Sequence, residues 1–149
     1  MKLKKADNGF YLGQRFIPKK RYIPLNGDSA IAQQDDNRIR MSVSSETPYY
    51  RWEIDMEEVL LHTPEAVDLS RFESGKAMIL LNHQPNYYLA RIDRAWLDNG
   101  YLYVEGIFRA TDVAEDVKSG ILAATSVGYE VKNAEIINGQ FVVTDWCPM

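Results

Sequence analysis

Side chains able to take a proton from a hydroxyl near neutral pH are scarce in this chain. Its 149 residues hold two histidines, His62 and His83, and one cysteine, Cys147. A serine becomes a nucleophile when a base lies within hydrogen-bond reach of its hydroxyl, so the serines that matter are those a histidine can meet. Ser126 stands in the run ATSVGYEV. In an extended strand Thr125, Val127, Tyr129 and Val131 share the core face, while Ser126 and Gly128 share the other. Gly128 has no side chain, which leaves room for a second backbone beside the hydroxyl. His83 comes just after the apolar run AMILL and Asn82, and a buried strand is a rigid mount for a base. The same residues also fit a polar residue on a solvated strand and a solvent-facing histidine. Residue type and spacing leave both readings open.

Other chemistries find less support. There is no CxxC, HxxxH or HxH spacing for a metal, and no glycine-rich phosphate loop, so neither metal nor cofactor is expected. The acidic patch Glu53, Asp55, Glu57 and Glu58 lacks the ligand pattern of a calcium loop. Seventeen acids follow residue 40, and none stands out as half of a glycosidase pair. An α/β-hydrolase places its histidine after the serine, whereas both histidines here precede Ser126, and Ala124 replaces the first glycine of GxSxG. Cys147 is an alternative nucleophile, close to the chain's last residue and next to Pro148. His62, before Thr63 and Pro64, reads as a solvent-facing residue at a helix start and is the alternative base. Tyr87 and Tyr88 fit either a substrate groove or ordinary packing.

The elements that must position these residues are mostly strands. Residues 49–54 (YYRWEI) read as a first strand leading into Val59, Leu60 and Leu61. Thr63 as cap and Pro64 at the first helical position predict a short helix over AVDLSRF. Residues 77–81 are wholly apolar, as in a strand buried on both faces. Residues 89–97 and 101–108 flank Asp98-Asn99-Gly100, and Asn-Gly supplies the positive φ angles of a type I′ hairpin. Leu102, Val104 and Phe108 fall on one face of its second strand, opposite Tyr101, Tyr103 and Glu105. Residues 112–119 predict a helix capped by Asp112, with Glu115 completing a capping box and Gly120 ending it. Val113, Val117 and Ile121 line one side of that helix. A strand over 122–132 and a second Asn-Gly hairpin at Asn138-Gly139 close the chain. The pattern predicts a mainly β fold (α+β), a small, mostly antiparallel barrel or sandwich with short flanking helices.

Length and charge bound the rest. A chain of this size buries about 70% of its unfolded surface and needs no disulfide, and a lone cysteine fits a reducing compartment. No apolar run reaches the roughly 20 residues of a membrane helix, and MKLKKADNGF lacks a signal peptide's apolar core. Cytoplasm is the expectation, with no membrane partner. Residues 1–40 carry nine Lys and Arg against four Asp, and residues 41–149 eight against seventeen acids. The first forty residues lack a sustained period and read as a basic, poorly ordered leader, with the domain over 41–149. A basic arm can bind an acidic surface, but nothing in the acidic body suggests a nucleic-acid groove.

Four segments in order resemble the prohead proteases of tailed phages, serine proteases similar to herpesvirus assemblins. They are ILLNH (residues 79–83), ARIDRAWLDNGYLYVEGIF (90–108), KSGI (118–121) and ATSVGYEV (124–131). The resemblance covers roughly residues 64–145 and none of 1–40. It implies a β-barrel wrapped by helices, with His83 as general base and Ser126 as nucleophile. It further implies cleavage of scaffold, and of the protease itself, inside a procapsid in the bacterial host cytoplasm. Scaffold and major capsid protein would be the partners, and a homo-oligomer, a dimer, the assembly state. The oxyanion would need backbone N–H donors or an arginine. The family's third member is typically a histidine or an acid after a Trp-x-Pro-like segment. Here Trp146-Cys147-Pro148-Met149 matches that segment and the chain stops, so the expectation is a domain truncated at its C-terminus. The third member then lies beyond Met149, or Asp145 or Glu130 substitutes. Two further readings are an inert capsid-assembly or scaffold-like module of the same fold, and an unrelated β-rich binding domain worked by its basic leader.

Overall fold

The computed structural model describes residues 37–122 and 124–149, together with the backbone of two short segments nearer the N-terminus. Those segments are β1 (Lys4–Lys5) and β2 (Tyr11–Pro18), and most of the leader expected over 1–40 lies outside the described residues. The remaining strands are β3 (Arg38–Ser45), β4 (Tyr49–Arg51), β5 (Met56–Leu60), β6 (Met78–Leu80), β7 (Tyr88–Asp98), β8 (Tyr101–Phe108), β9 (Ala124–Ile137) and β10 (Gln140–Pro148). Two helices interrupt them, α1 (Ser70–Glu73) and α2 (Thr111–Ser119).

The fold is mainly β. Six strands form one sheet in the order β1-β2-β9-β10-β5-β4, and four form another in the order β3-β8-β7-β6. Among these strands β10 and β5 run parallel, and every other pair is antiparallel. One apolar cluster draws from both sheets: Met41, Leu102 and Val104 from the four-stranded sheet, Leu60, Val127, Val143 and Trp146 from the six-stranded one. Beside it lies a buried polar group. Tyr129 Oη donates to Glu58 Oε1 at 2.6 Å, Arg51 Nη2 donates to Tyr129 Oη, and Arg51 Nε stands 3.5 Å from Glu58. A buried carboxylate and guanidinium persist in such a place because each meets the other and the phenol.

Both Asn-Gly turns form as their residues dictate. Asn99 and Gly100 have φ of 46° and 75°, Asn138 and Gly139 of 50° and 78°, and each pair joins adjacent antiparallel strands. Leu102, Val104 and Phe108 are buried together, but Tyr103 and Glu105 on the opposite face are buried too. Gly120, at φ 88°, ends α2 in the left-handed conformation.

Other expectations are corrected. The helix over residues 64–72 does not form. Trp146 N donates to the Ala66 carbonyl and Asp68 N to the Trp146 carbonyl, so Val67 is drawn into a bridge with Trp146, and only α1 remains helical. The strand expected over 49–54 is a tight hairpin, because Asp55 at φ 53° reverses the chain between β4 and β5. β6 is an edge strand with Met78 exposed, not a strand buried on both faces. Neither Asp112 nor Glu115 forms a capping box: the α2 N-cap is Ala110, the Asp112 carboxylate accepts from Val113 N, and Glu115 pairs with Lys118. Ile121 lies past Gly120 and is 74% exposed, not on the buried side of α2.

Candidate active site

Ser126 lies near the start of β9, a strand held on both sides. β2 pairs with it from Tyr11↔Val131 to Pro18↔Ala124, and β10 pairs with it up to Pro148↔Tyr129. Met149 N then donates to the Gly128 carbonyl at 2.8 Å. Alternation along β9 buries Val127, Tyr129 and Val131, while Ser126 and Gly128 are half-buried on the other face. A Cβ at Gly128 would meet nothing nearer than the Met149 carbonyl oxygen at 3.9 Å. Among the described residues, packing therefore does not require glycine there.

His83 comes from the other sheet. β6 pairs with β7 at Met78↔Arg91, Ile79↔Ala90 and Leu80↔Tyr88, and the chain then turns sharply through Leu81–His83. Asn82 and His83 both adopt positive φ, 50° and 56°. Asn and His are among the residues that tolerate this region best, and it still costs each of order 1–3 kcal/mol. Backbone bonds hold the turn: Leu81 N to Tyr87 O at 2.8 Å, Gln84 N to Leu81 O at 3.0 Å, and Tyr87 N to Gln84 O at 3.0 Å. Two left-handed residues in a row swing the imidazole off the edge of its own sheet and over the neighbouring one.

There the ring meets the serine. His83 Nε2 and Ser126 Oγ are hydrogen-bonded, although the residues are 43 positions apart and on different sheets. For Nε2 to accept the hydroxyl proton, hydrogen must sit on Nδ1. Among the described residues Ser126 is the one side chain that hydrogen-bonds His83. Asp145 lies elsewhere, beside Asp68, Glu65 and Trp96 in a separate surface hollow. Glu130 sits four residues along β9 from Ser126, between Leu12 and Cys147 of the neighbouring strands.

The alternative residues lie in other surroundings. His62 is not at a solvent-facing helix start but buried. Its Nδ1 lies 2.7 Å from the Leu60 carbonyl, its backbone N donates to Glu46 Oε1 at 2.7 Å, and its ring meets Trp146 edge-on at 5.2 Å. Cys147 is half-buried, and burial, with Asp68 nearby, pushes its thiol up, away from the thiolate a nucleophile needs. Tyr87 and Tyr88 are exposed beyond the His83 turn. Among the described residues no three His, Cys, Asp or Glu side chains gather as metal ligands, and no helix is long and apolar enough to cross a membrane.

The hydrogen-bonded pair opens onto a cavity of about 670 Å³ that also touches Asn82, Thr125 and Gly128. Sequence patterns gave no sign of it, since it is enclosed only when the two sheets pack. Asn82 was legible solely as the residue before His83; its left-handed backbone is what turns the histidine.

No family model and no curated protein matches this sequence. Among solved structures, the capsid assembly protease gp21 of bacteriophage T4 is similar at 8% identity with a TM-score of 0.43. The match covers 76% of this chain and 93% of that one.

Proposed function

We propose that this chain is a serine endopeptidase of capsid maturation, with Ser126 as nucleophile and His83 as general base. The observation that carries the chemistry is the hydrogen bond between His83 Nε2 and Ser126 Oγ at the mouth of an open cavity. Ser126 Oγ attacks the scissile carbonyl as Nε2 takes its proton. The imidazolium returns that proton to the leaving amine, and water, deprotonated by the same nitrogen, releases the acyl group. Gly128 supports this reading: among the described residues nothing lies nearer than 3.9 Å to where its side chain would be, and a substrate backbone can lie there beside the nucleophile. The capsid setting rests on the sequence resemblance through residues 79–83 and 124–131. It brings scaffold and major capsid protein as substrates, self-cleavage, a dimer, and action inside the procapsid in the host cytoplasm.

A second reading is an inert module of the same fold. One observation favours it: among the described residues no carboxylate hydrogen-bonds His83 to fix its tautomer. One experiment separates the two. The purified protein and Ser126→Ala are each incubated with scaffold and capsid protein, and new N-termini are mapped by mass spectrometry. The endopeptidase reading expects termini that appear with wild type and vanish with Ser126→Ala. Identical fragment lists from folded proteins would leave the inert module.

A further inference from the structure

The cavity behind Ser126 and His83 has a composition of its own. Among the described residues that line it none is Asp, Glu, Lys or Arg, and the polar ones, Asn82, His83, Thr125 and Ser126, cluster around the reacting pair. Its deeper wall is apolar, with Met41, Val43, Phe72, Ile92 and Phe108 of the core contributing. Its remaining wall includes Met78 and Ile121, which are 40% and 74% exposed. Apolar side chains exposed beside an apolar hollow leave water against hydrocarbon, a cost that an apolar occupant would remove.

We infer that this cavity is the pocket for the substrate residue whose carbonyl Ser126 attacks, and that this residue carries a large aliphatic or aromatic side chain. The inference rests on the hydrolase reading above and adds the substrate class. The occupant follows from position: a group covalently next to the attacked carbonyl is what reaches a cavity that Ser126 itself lines. Its chemistry follows from the lining, because a charged side chain would find no charged partner among the described lining residues and would forfeit its hydration. A volume of about 670 Å³ is within the ordinary range of small-molecule pockets, about 300–1,000 Å³, and exceeds any one side chain. The neighbouring apolar part of the substrate can therefore enter as well.

The test uses p-nitrophenyl acetate, butyrate, hexanoate and octanoate, with Ser126→Ala as background. Each methylene moved out of water contributes up to about fourfold, so the Ser126-dependent kcat/KM is expected to rise at least about tenfold from acetate to hexanoate. Met78→Trp and Leu122→Trp, which narrow the cavity, should flatten that rise. A Ser126-dependent series that is already flat in wild type would overturn the inference and leave the hydrolase reading standing. Should no ester react, the two ideas part at a second measurement on Ser126→Ala protein. N-acetyl peptide amides differing only in Leu, Phe or Asp at one position are titrated and followed by NMR at the Leu122 and Val127 amides. Binding of the Leu and Phe peptides at least about tenfold tighter than Asp keeps the pocket and sinks the hydrolase, and equal binding sinks the pocket.

Discussion

The two histidines sit in nearly the same local sequence. Residues 59–62 read VLLH and residues 79–83 read ILLNH, each an apolar run ending in an imidazole. Their fates are opposite. His62 continues directly from β5 into the core, where the Leu60 carbonyl and the edge of Trp146 fix its ring. His83 is separated from its run by Asn82, and the two left-handed residues turn its ring out of its own sheet onto Ser126. The left-handed turn at Asn82 goes with this difference: His62 packs against Trp146, and His83 lies within hydrogen-bond reach of a serine hydroxyl. Where each imidazole lies is set by the backbone that presents the ring, and the apolar run before it says little.

That contrast can be broken in several places. The largest effect is expected on reactivity: His83→Ala and Ser126→Ala each lower Ser126-dependent acyl transfer by at least about a thousandfold, with unfolding midpoints near wild type, as paired kinetics and denaturant melts would read. The buried polar group by the core should answer in stability alone. Glu58→Gln strands the Arg51 guanidinium and costs about 3–5 kcal/mol in urea unfolding, whereas replacing Arg51 and Glu58 together by Met and Leu costs less. His62→Ala opens a cavity against Trp146 and costs about 2–4 kcal/mol, with the reactivity of the folded fraction retained. A reactive site lost with His62 would erase the contrast.

Smaller effects sharpen it. Asn82→Ala places a β-carbon residue with poor left-handed tolerance in the turn. It is expected to cost about 1 kcal/mol and to slow acyl transfer, while Asn82→Gly keeps the turn at lower strain. Smallest is a surface pair: Lys132, with Ser70, holds the Asp68 carboxyl down to about 2 from its ordinary 3.8. Its contribution is therefore complete above pH 3.8 and fades as pH falls towards 2. Asp68→Asn should remove that acid-limb slope by lowering stability above pH 3.8, by less than about 1 kcal/mol, and leave stability near pH 2 nearly unaltered.

The parts of the fold that were legible are those that short-range chemistry decides. Both Asn-Gly hairpins, the Gly120 helix stop and the alternation of Thr125, Val127, Tyr129 and Val131 need only the neighbouring residues to form. β3 is not legible, because its buried half reads Met-Ser-Val-Ser-Ser, and three serines in a strand buried on both faces carry no apolar signature. The helix at Thr63-Pro64 carried good local signals and lost to a partner 79 residues away, Trp146, whose backbone takes both hydrogen bonds flanking Val67. Ser126 and His83 were singled out by type and by resemblance. What brings them together, the Asn82 turn and the packing of one sheet over the other, is long-range and could not be read from either segment. The cavity they share is likewise a product of assembly.

The most direct measurement is labelling with a fluorophosphonate, with the adduct located by peptide mapping in wild type, Ser126→Ala, His83→Ala and His62→Ala. The account predicts an adduct on Ser126 in wild type and in folded His62→Ala, and none in Ser126→Ala or His83→Ala. A folded wild-type protein that takes no label, or a His83→Ala protein labelled at Ser126 as fast as wild type, would contradict it.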